Sequence, residues 1–113
     1  MNFIKLIKED FETSAEITPQ FNTFYKVFTK EMTALFKELN STKHKFSKGH
    51  FNASAFFQLG EQTWYLSIGD VRWSKEKMLI RTVRDFKDLE SGPNSFVAFD
   101  ENFKENFIKR IKK

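Results

Sequence analysis

Apolar residues recur every three or four positions between Phe21 and Leu39, and this helical period is the strongest constraint on the fold. Thr18 precedes the run as a typical N-cap, and Pro19 suits the first helical position. Lysine and glutamate side chains occupy much of the opposite side. The pattern therefore predicts an amphipathic helix of about five or six turns that ends near Asn40.

Beyond residue 40 the apolar period becomes alternating, which is typical of strands. Residues 51–59, 63–69 and 77–84 each carry apolar side chains on one face. Because short connections make consecutive strands antiparallel neighbours, these runs predict a three-stranded antiparallel meander. Residues 41–50 are polar and basic and are predicted to form a loop, and residues 95–99 a brief edge strand.

Both ends of the chain also carry helical signals. Residues 3–11 have apolar side chains at helical spacing and predict a short helix, with a first strand as the alternative. After Asp100, apolar residues at four-residue spacing and positive charges toward the C-terminus predict a last helix. The order α-(α)-β-β-β-α predicts an α+β fold in two layers, with residues 1–113 as a single domain.

The composition excludes several classes of protein. The chain has no cysteine, which rules out disulfides and zinc–thiolate sites and fits a reducing compartment. His44 and His50 have no acidic partner at metal-ligand spacing, so neither a metal nor another cofactor is expected. No apolar run approaches the roughly 20 residues of a membrane span, and the start MNFIKLIKEDFE has no cleavage site. We expect a cytoplasmic protein without membrane contact.

Positive charge is concentrated in the middle and at the end of the chain. The formal net charge is +4, with residues 1–40 at −1, residues 41–90 at +3 and residues 100–113 at +2. This balance permits contact with nucleic acid without requiring it. Most of the fifteen phenylalanines are expected in the core, because buried aromatic area stabilises a small domain.

Two sets of residues are candidates for binding. On the outer face of the predicted sheet, Phe56 and Tyr65 form either a platform on which bases stack or a cross-strand aromatic pair, with Arg81 beside them. Basic connectors supply either phosphate contacts or an ordinary solvated surface. Trp73 is either a cap over the edge of the core or an interface anchor. The connector candidates are Lys45, Lys48, Arg72, Lys75 and Arg84.

The enzymatic alternative is a small basic ribonuclease. Cationic side chains and a histidine can cleave RNA without a metal, and Arg81, Arg84 and His50 are the residues that such an enzyme would use here. The size and element order are similar to those of ribosome-dependent toxins of the RelE type, although no toxin motif matches. The chain contains no G-x-G-x-x-G, P-loop or H-E-x-x-H motif. We expect a protein that is not an enzyme.

Two resemblances extend this interpretation. The α-β-β-β-α order resembles the double-stranded RNA-binding domain, but the lysine cluster of that family is replaced here by Asp100-Glu101-Asn102. The stretches FSKGHFNASAFF, WYLSIGDVRW and MLIRTVRDFKDLESGPNSF, within residues 46–96, resemble small proteins of bacterial plasmids, prophages and integrative elements. Proteins of this size and setting include anti-CRISPR inhibitors, which block an RNA-guided nuclease.

The hypothesis from sequence is therefore a non-enzymatic mobile-element or phage protein that docks on a nucleic acid or nucleoprotein. The resemblance implies that the partner is an RNA-guided nuclease, which the protein inhibits. The alternatives are a RelE-like ribonuclease toxin, a single-stranded nucleic-acid-binding protein and a homo-oligomeric accessory protein.

Overall fold

The computed structural model describes residues 1–14, 16–88 and 91–112. Within them the chain forms three helices and five strands, which confirms the α+β class. The elements are α1 (Asn2–Ile7), α2 (Pro19–Glu38), β1 (Lys43–Lys48), β2 (Ala53–Leu59), β3 (Gln62–Ile68), β4 (Lys77–Val83), β5 (Ser95–Ala98) and α3 (Phe103–Ile111).

The five strands form one antiparallel sheet in the order β1-β2-β3-β4-β5. The predicted meander of three strands is present as β2, β3 and β4, with Phe56 opposite Tyr65 and Tyr65 opposite Arg81. The predicted number of strands was wrong, because an edge strand lies on each side of these three. The brief edge strand expected within residues 95–99 is confirmed as β5.

Strand β1 lies in the segment that was predicted to be a loop. Its sequence KHKFSK contains a single large apolar residue, Phe46, so local patterning carries little strand signal. The strand forms because β2 offers an edge with which six residues pair, from Lys43 opposite Gln58 to Lys48 opposite Ala53. Charged side chains are common on edge strands, because they discourage pairing with another sheet.

Helix α2 begins and ends as its sequence predicts. The Thr18 side-chain oxygen accepts a hydrogen bond from the Phe21 backbone N–H at 3.2 Å. At the other end Asn40 has a φ of 61°, and the Ser41 N–H donates to the Phe36 carbonyl at 2.9 Å. Both helix ends are therefore satisfied by local contacts that the sequence encodes.

The two shorter helices differ in how well they were predicted. Segment 3–11 contains the helix α1 rather than a strand, and the Glu31 carboxylate accepts hydrogen bonds from the backbone N–H groups of Asn2 and Phe3. Helix α3 begins at Phe103, later than Asp100, because a turn precedes it. Among the helices of the described residues, none is both long and apolar enough to cross a membrane.

The core lies between the helices and one face of the sheet. Twelve of the fifteen phenylalanines are buried, as predicted. The ring of Phe57 on β2, for example, packs 4.5 Å from the ring of Phe36 on α2. The three phenylalanines that are not fully buried are Phe46, Phe86 and Phe96. Two of them, Phe86 and Phe96, lie on the sheet face away from the helices, which we call the open face.

Candidate functional site

The open face is defined by the strand side chains that alternate with the core residues. Four of these side chains are cationic and none is acidic, so the strands give this face a single sign of charge. The outward-facing residues are Lys43, Lys45, Ser47, Ser54, Phe56, Gln58, Thr63, Tyr65, Ser67, Lys77, Leu79, Arg81, Val83, Phe96 and Ala98.

A row of four residues crosses the middle of the open face. The strand register places Lys45 opposite Phe56, Phe56 opposite Tyr65 and Tyr65 opposite Arg81. The Arg81 guanidinium lies 5.5 Å from the Tyr65 ring centroid, and its buried Nε finds no acceptor among the described residues. Four predicted site residues from four strands are thus brought together.

Phe86 changes the interpretation of Phe56. The Phe86 ring stacks on Phe56 with centroids 5.6 Å apart, while Tyr65 contacts it at 4.9 Å. Phe56 is therefore buried, and it supports the face as half of a cross-strand pair rather than offering a ring to a ligand. The rings on this side that are at least partly exposed are those of Tyr65, Phe86 and Phe96.

Two shallow depressions lie at opposite corners of the open face. The first has a volume of about 430 Å³ and includes Lys43, whose Nζ lies 4.8 Å from the Phe86 ring centroid. The second has a volume of about 490 Å³ and includes Lys77, whose Nζ lies 4.3 Å from the Phe96 ring centroid. Each corner therefore combines a cation with a partly exposed aromatic ring.

Few of the cations on this side are neutralised. Among the described residues, none of the four strand cations forms a salt bridge. Arg84, which follows β4, is 82% exposed, and its Nε lies 3.2 Å from the Asp88 carboxylate. The Asp88 side chain, by contrast, is only 6% exposed. Arg84 therefore extends the cationic surface beyond the end of β4, although Asp88 offsets part of its charge.

The connector between β3 and β4 uses its predicted binding residues for internal contacts. The Arg72 guanidinium donates to the Asp70 carboxylate at 2.9 and 2.6 Å and to the Ser14 carbonyl at 2.8 Å. It also lies 4.2 Å from the Phe51 ring centroid. The hydrogen bond from Arg72 holds the pKa of Asp70 below its ordinary value. Arg72 thus ties the connector to the N-terminal segment.

Lys75 has a similar internal role. Its Nζ donates to the Ile7 and Glu9 carbonyls at 2.9 and 2.5 Å, and it lies 4.7 Å from the Phe11 ring centroid. Burial lowers the pKa of Lys75. Whether Arg72 and Lys75 also contact a partner stays a prediction, but their side-chain donors already have acceptors within the chain.

Trp73, between these two anchored residues, is 67% exposed. One side of its indole is near Arg72, whose guanidinium carbon lies 5.9 Å from the ring. The alternative that Trp73 caps the edge of the core is therefore wrong, because a capping ring would be buried. An exposed tryptophan is the arrangement that an interface anchor requires.

The remaining predicted cations and histidines lie elsewhere. Lys48 is on the helix side of β1, where its Nζ lies 3.4 Å from the Asn22 side-chain oxygen and 5.0 Å from the Tyr25 ring. His50 packs against Phe51 at the start of β2, whereas Arg84 follows the end of β4. Strand β3 has seven residues, so these two ends of the sheet are about 20 Å apart. His50 and Arg84 therefore cannot act on one phosphate.

Two open-face residues were missed as site candidates: Phe86 and Phe96. The signal for Phe96 was the two-residue alternation, which places it on the face opposite Val97 once β5 pairs with β4. No local pattern indicates that Phe86 folds back over Phe56. That contact depends on the path of the chain after β4.

The described residues contain no group of three histidine, cysteine, aspartate or glutamate side chains that could hold a metal ion. A scan against protein-family models finds no match, and searches of curated proteins and solved structures find none either. The resemblance of residues 46–96 to mobile-element proteins thus stays a prediction, and function is argued from the geometry.

Proposed function

We propose that the open face binds single-stranded nucleic acid, free or held within a nucleoprotein. The observation that carries this proposal is the charge of the face: four outward-facing strand cations without a single strand carboxylate. Cations that lack a carboxylate partner among the described residues are available to phosphates, and each such contact releases condensed counterions.

The aromatic rings support a single-stranded ligand. Tyr65 lies at the centre of the face, and Phe86 and Phe96 lie at its two depressions, each within about 5 Å of a lysine. Bases stack on such rings only when they are unpaired, because a duplex buries their faces. Lysine beside each ring places a phosphate contact next to a stacking position.

Helix α3 does not support the duplex-binding alternative. A double-stranded RNA-binding domain grips phosphates with lysines at the start of its second helix, whereas the residues before α3 are Asp100 and Glu101, both exposed. Carboxylates at that position repel phosphates. The open face is the better supported surface.

A finer expectation concerns the source of the nucleic acid. The nucleic acid would belong to an RNA-guided nuclease in the cytoplasm of a bacterial host, and the protein would inhibit that nuclease without catalysis. This part derives from the resemblance of residues 46–96. The ribonuclease alternative lacks support from geometry, because His50 and Arg84 lie at opposite ends of the sheet.

The test is fluorescence anisotropy with a labelled 12-residue oligouridine, its DNA counterpart and a duplex of equal length. We expect both single strands to bind more tightly than the duplex. Tyr65→Leu is expected to weaken single-strand binding about 5- to 150-fold, the range for loss of one stacked base. Tyr65→Phe keeps the ring and is expected to bind like the wild type.

The matched control is Lys109→Ala, which removes an exposed cation from α3. Like the substitution of an open-face lysine, it removes one positive charge, but from the helix layer and not from the sheet. Equal affinity for duplex and single strand, or an unchanged affinity after Tyr65→Leu in a folded variant, contradicts the proposal.

A further inference from the structure

A second surface, independent of the open face, surrounds Trp73. Segment 9–14 runs beside the connector from Asp70 to Lys75, because Lys75 binds the Glu9 carbonyl and Arg72 binds the Ser14 carbonyl. The exposed indole of Trp73 therefore stands next to this segment. We call Trp73 and the exposed carboxylates of the segment and its continuation the Trp73 surface. Those carboxylates belong to Glu9, Asp10, Glu12 and Glu16.

The connector holds Trp73 in a fixed position. The Trp73 and Ser74 backbone N–H groups both donate to the Asp70 carbonyl, at 3.0 and 2.7 Å. Val71 is fully buried, and its N–H donates to the Phe51 carbonyl at 2.8 Å. These contacts anchor the backbone on both sides of the indole. A residue that is already ordered loses less entropy when a partner binds it.

The charge beside Trp73 is opposite to that of the open face. Residues 8–16 carry four carboxylates and a single lysine, and among the described residues none of the four carboxylates forms a salt bridge. Of the nearest cations, Arg72 is paired with Asp70, whereas Lys75 donates to backbone carbonyls and interacts electrostatically with Asp10. This leaves Glu9, Glu12 and Glu16 as the excess negative charge. A polyanion is repelled by such a rim, whereas a basic protein is attracted by it.

We propose that the Trp73 surface docks a protein that offers an apolar pocket with a lysine- or arginine-rich rim. Trp73 fills the pocket as the anchor, and the carboxylates of segment 9–16 pair with the rim. Tryptophan is among the residues that most often dominate binding energy, and complementary charge at the rim sets the association rate and the choice of partner.

The probe is a display library of random 12-residue peptides, selected on the wild-type protein and counter-selected on Trp73→Ala. Because the indole is exposed, this substitution is expected to leave the fold intact. We expect the recovered peptides to combine a large apolar residue with an excess of lysine and arginine. Their affinity for Trp73→Ala is expected to fall about thirtyfold, as for a hot-spot residue.

A second variant tests the charge without touching Trp73. Glu12→Gln with Glu16→Gln is expected to weaken the same peptides in low salt and to have little effect in high salt. Glu61→Gln removes an exposed carboxylate from the turn between β2 and β3, at the far end of the sheet, and serves as the control that is expected to leave peptide binding unchanged. Peptides that bind Trp73→Ala equally well, or that show no excess of basic residues, overturn the proposal.

Two other occupants are distinguished by further measurements. If Trp73→Ala abolishes a concentration-dependent dimer in sedimentation, the surface is occupied by a second copy and the proposed partner is wrong. If Trp73→Ala weakens oligonucleotide binding as strongly as Tyr65→Leu does, the surface belongs to the nucleic-acid site and the proposal is again wrong.

Discussion

Replacement of Lys45 by alanine offers the sharpest quantitative test of the open face. Lys45 is exposed on the edge strand β1, and its side chain enters no salt bridge with any described residue. Its removal is therefore expected to leave stability almost unchanged. Any effect on binding then reports the loss of one phosphate contact, not damage to the fold.

The magnitude follows from counterion release. For a single strand, the logarithm of the association constant falls with the logarithm of salt concentration, with a slope of about −0.7 per phosphate contacted. If each of the four strand cations contacts one phosphate, the wild-type slope is about −2.8 and that of Lys45→Ala about −2.1. Between 50 and 200 mM salt the affinity then falls about 50-fold for the wild type and about 20-fold for the variant.

The assay is anisotropy of a labelled oligonucleotide at four or more salt concentrations, with Lys109→Ala as the charge-matched control. We expect the slope of Lys109→Ala to equal that of the wild type, because Lys109 lies on α3 in the helix layer. A wild-type slope near zero would refute the phosphate contacts. Equal changes in both variants would show that only the net charge matters, and that the open face is not the site.

Three further predictions concern the frame around the two surfaces. A Cβ at Gly92, whose φ is 82°, would lie 2.0 Å from a backbone oxygen of β4, whereas at Gly60, whose φ is 58°, it meets nothing within 4 Å. In urea unfolding we expect Gly60→Ala to lower the free energy of unfolding by about 1 kcal/mol, and Gly92→Ala to lower it by about 1–3 kcal/mol more. Equal losses would mean that the loop around Gly92 does not pack on β4. Arg72 lowers the pKa of Asp70 from its ordinary value of 3.8. The ionised carboxylate therefore stabilises the fold at pH values above 3.8, and this stabilisation is lost as the pH falls through the lowered pKa. The difference in free energy of unfolding between wild type and Asp70→Asn should thus shrink in melts below pH 3.8, and a constant difference at all pH values would disprove it. Acrylamide, a neutral quencher, should quench Trp73 more strongly than the second tryptophan, because Trp73 is 67% exposed. Trp73→Phe is therefore expected to remove most of the quenchable emission, and unchanged quenching would show that the indole is covered.

The helices and the inner strands could be predicted because their signals are local. The Thr18 cap, the apolar period of α2 and the alternation along β2, β3 and β4 are encoded within the segments themselves. Strand β1 could not be predicted in this way, because KHKFSK becomes a strand only through pairing with β2. Edge strands carry few apolar residues, so tertiary context decides their structure.

The candidate site could be predicted only where local alternation determines it. Strand alternation placed Tyr65 and Arg81 on one face, and the register confirms that they are neighbours. The sequence did not indicate that Lys75 has internal acceptors, or that Arg72 has one beyond the neighbouring Asp70, because these acceptors are backbone carbonyls from the distant N-terminal segment. A basic residue near a tryptophan therefore predicts a binding site from sequence, even where its role is to hold the backbone around that tryptophan in place.

The separation of charge along the chain becomes a separation in space. Residues 1–40 carry the net negative charge and supply the rim beside Trp73, while residues 41–90 carry a net of +3 and supply most of the open face. Trp73 and Phe86 follow opposite ends of the sheet, about 20 Å apart along the strands. Substitutions this far apart, without shared contacts, are expected to be additive.

Additivity has a consequence for a nucleoprotein partner. If one complex supplies both a single strand and a basic protein surface, each contact raises the effective concentration of the other, so the two affinities multiply. Lys45→Ala and Trp73→Ala would then each weaken binding to the complex by the factor measured with the isolated ligand. If the double variant has the same affinity for the complex as the more affected single variant, the two surfaces do not engage the same complex.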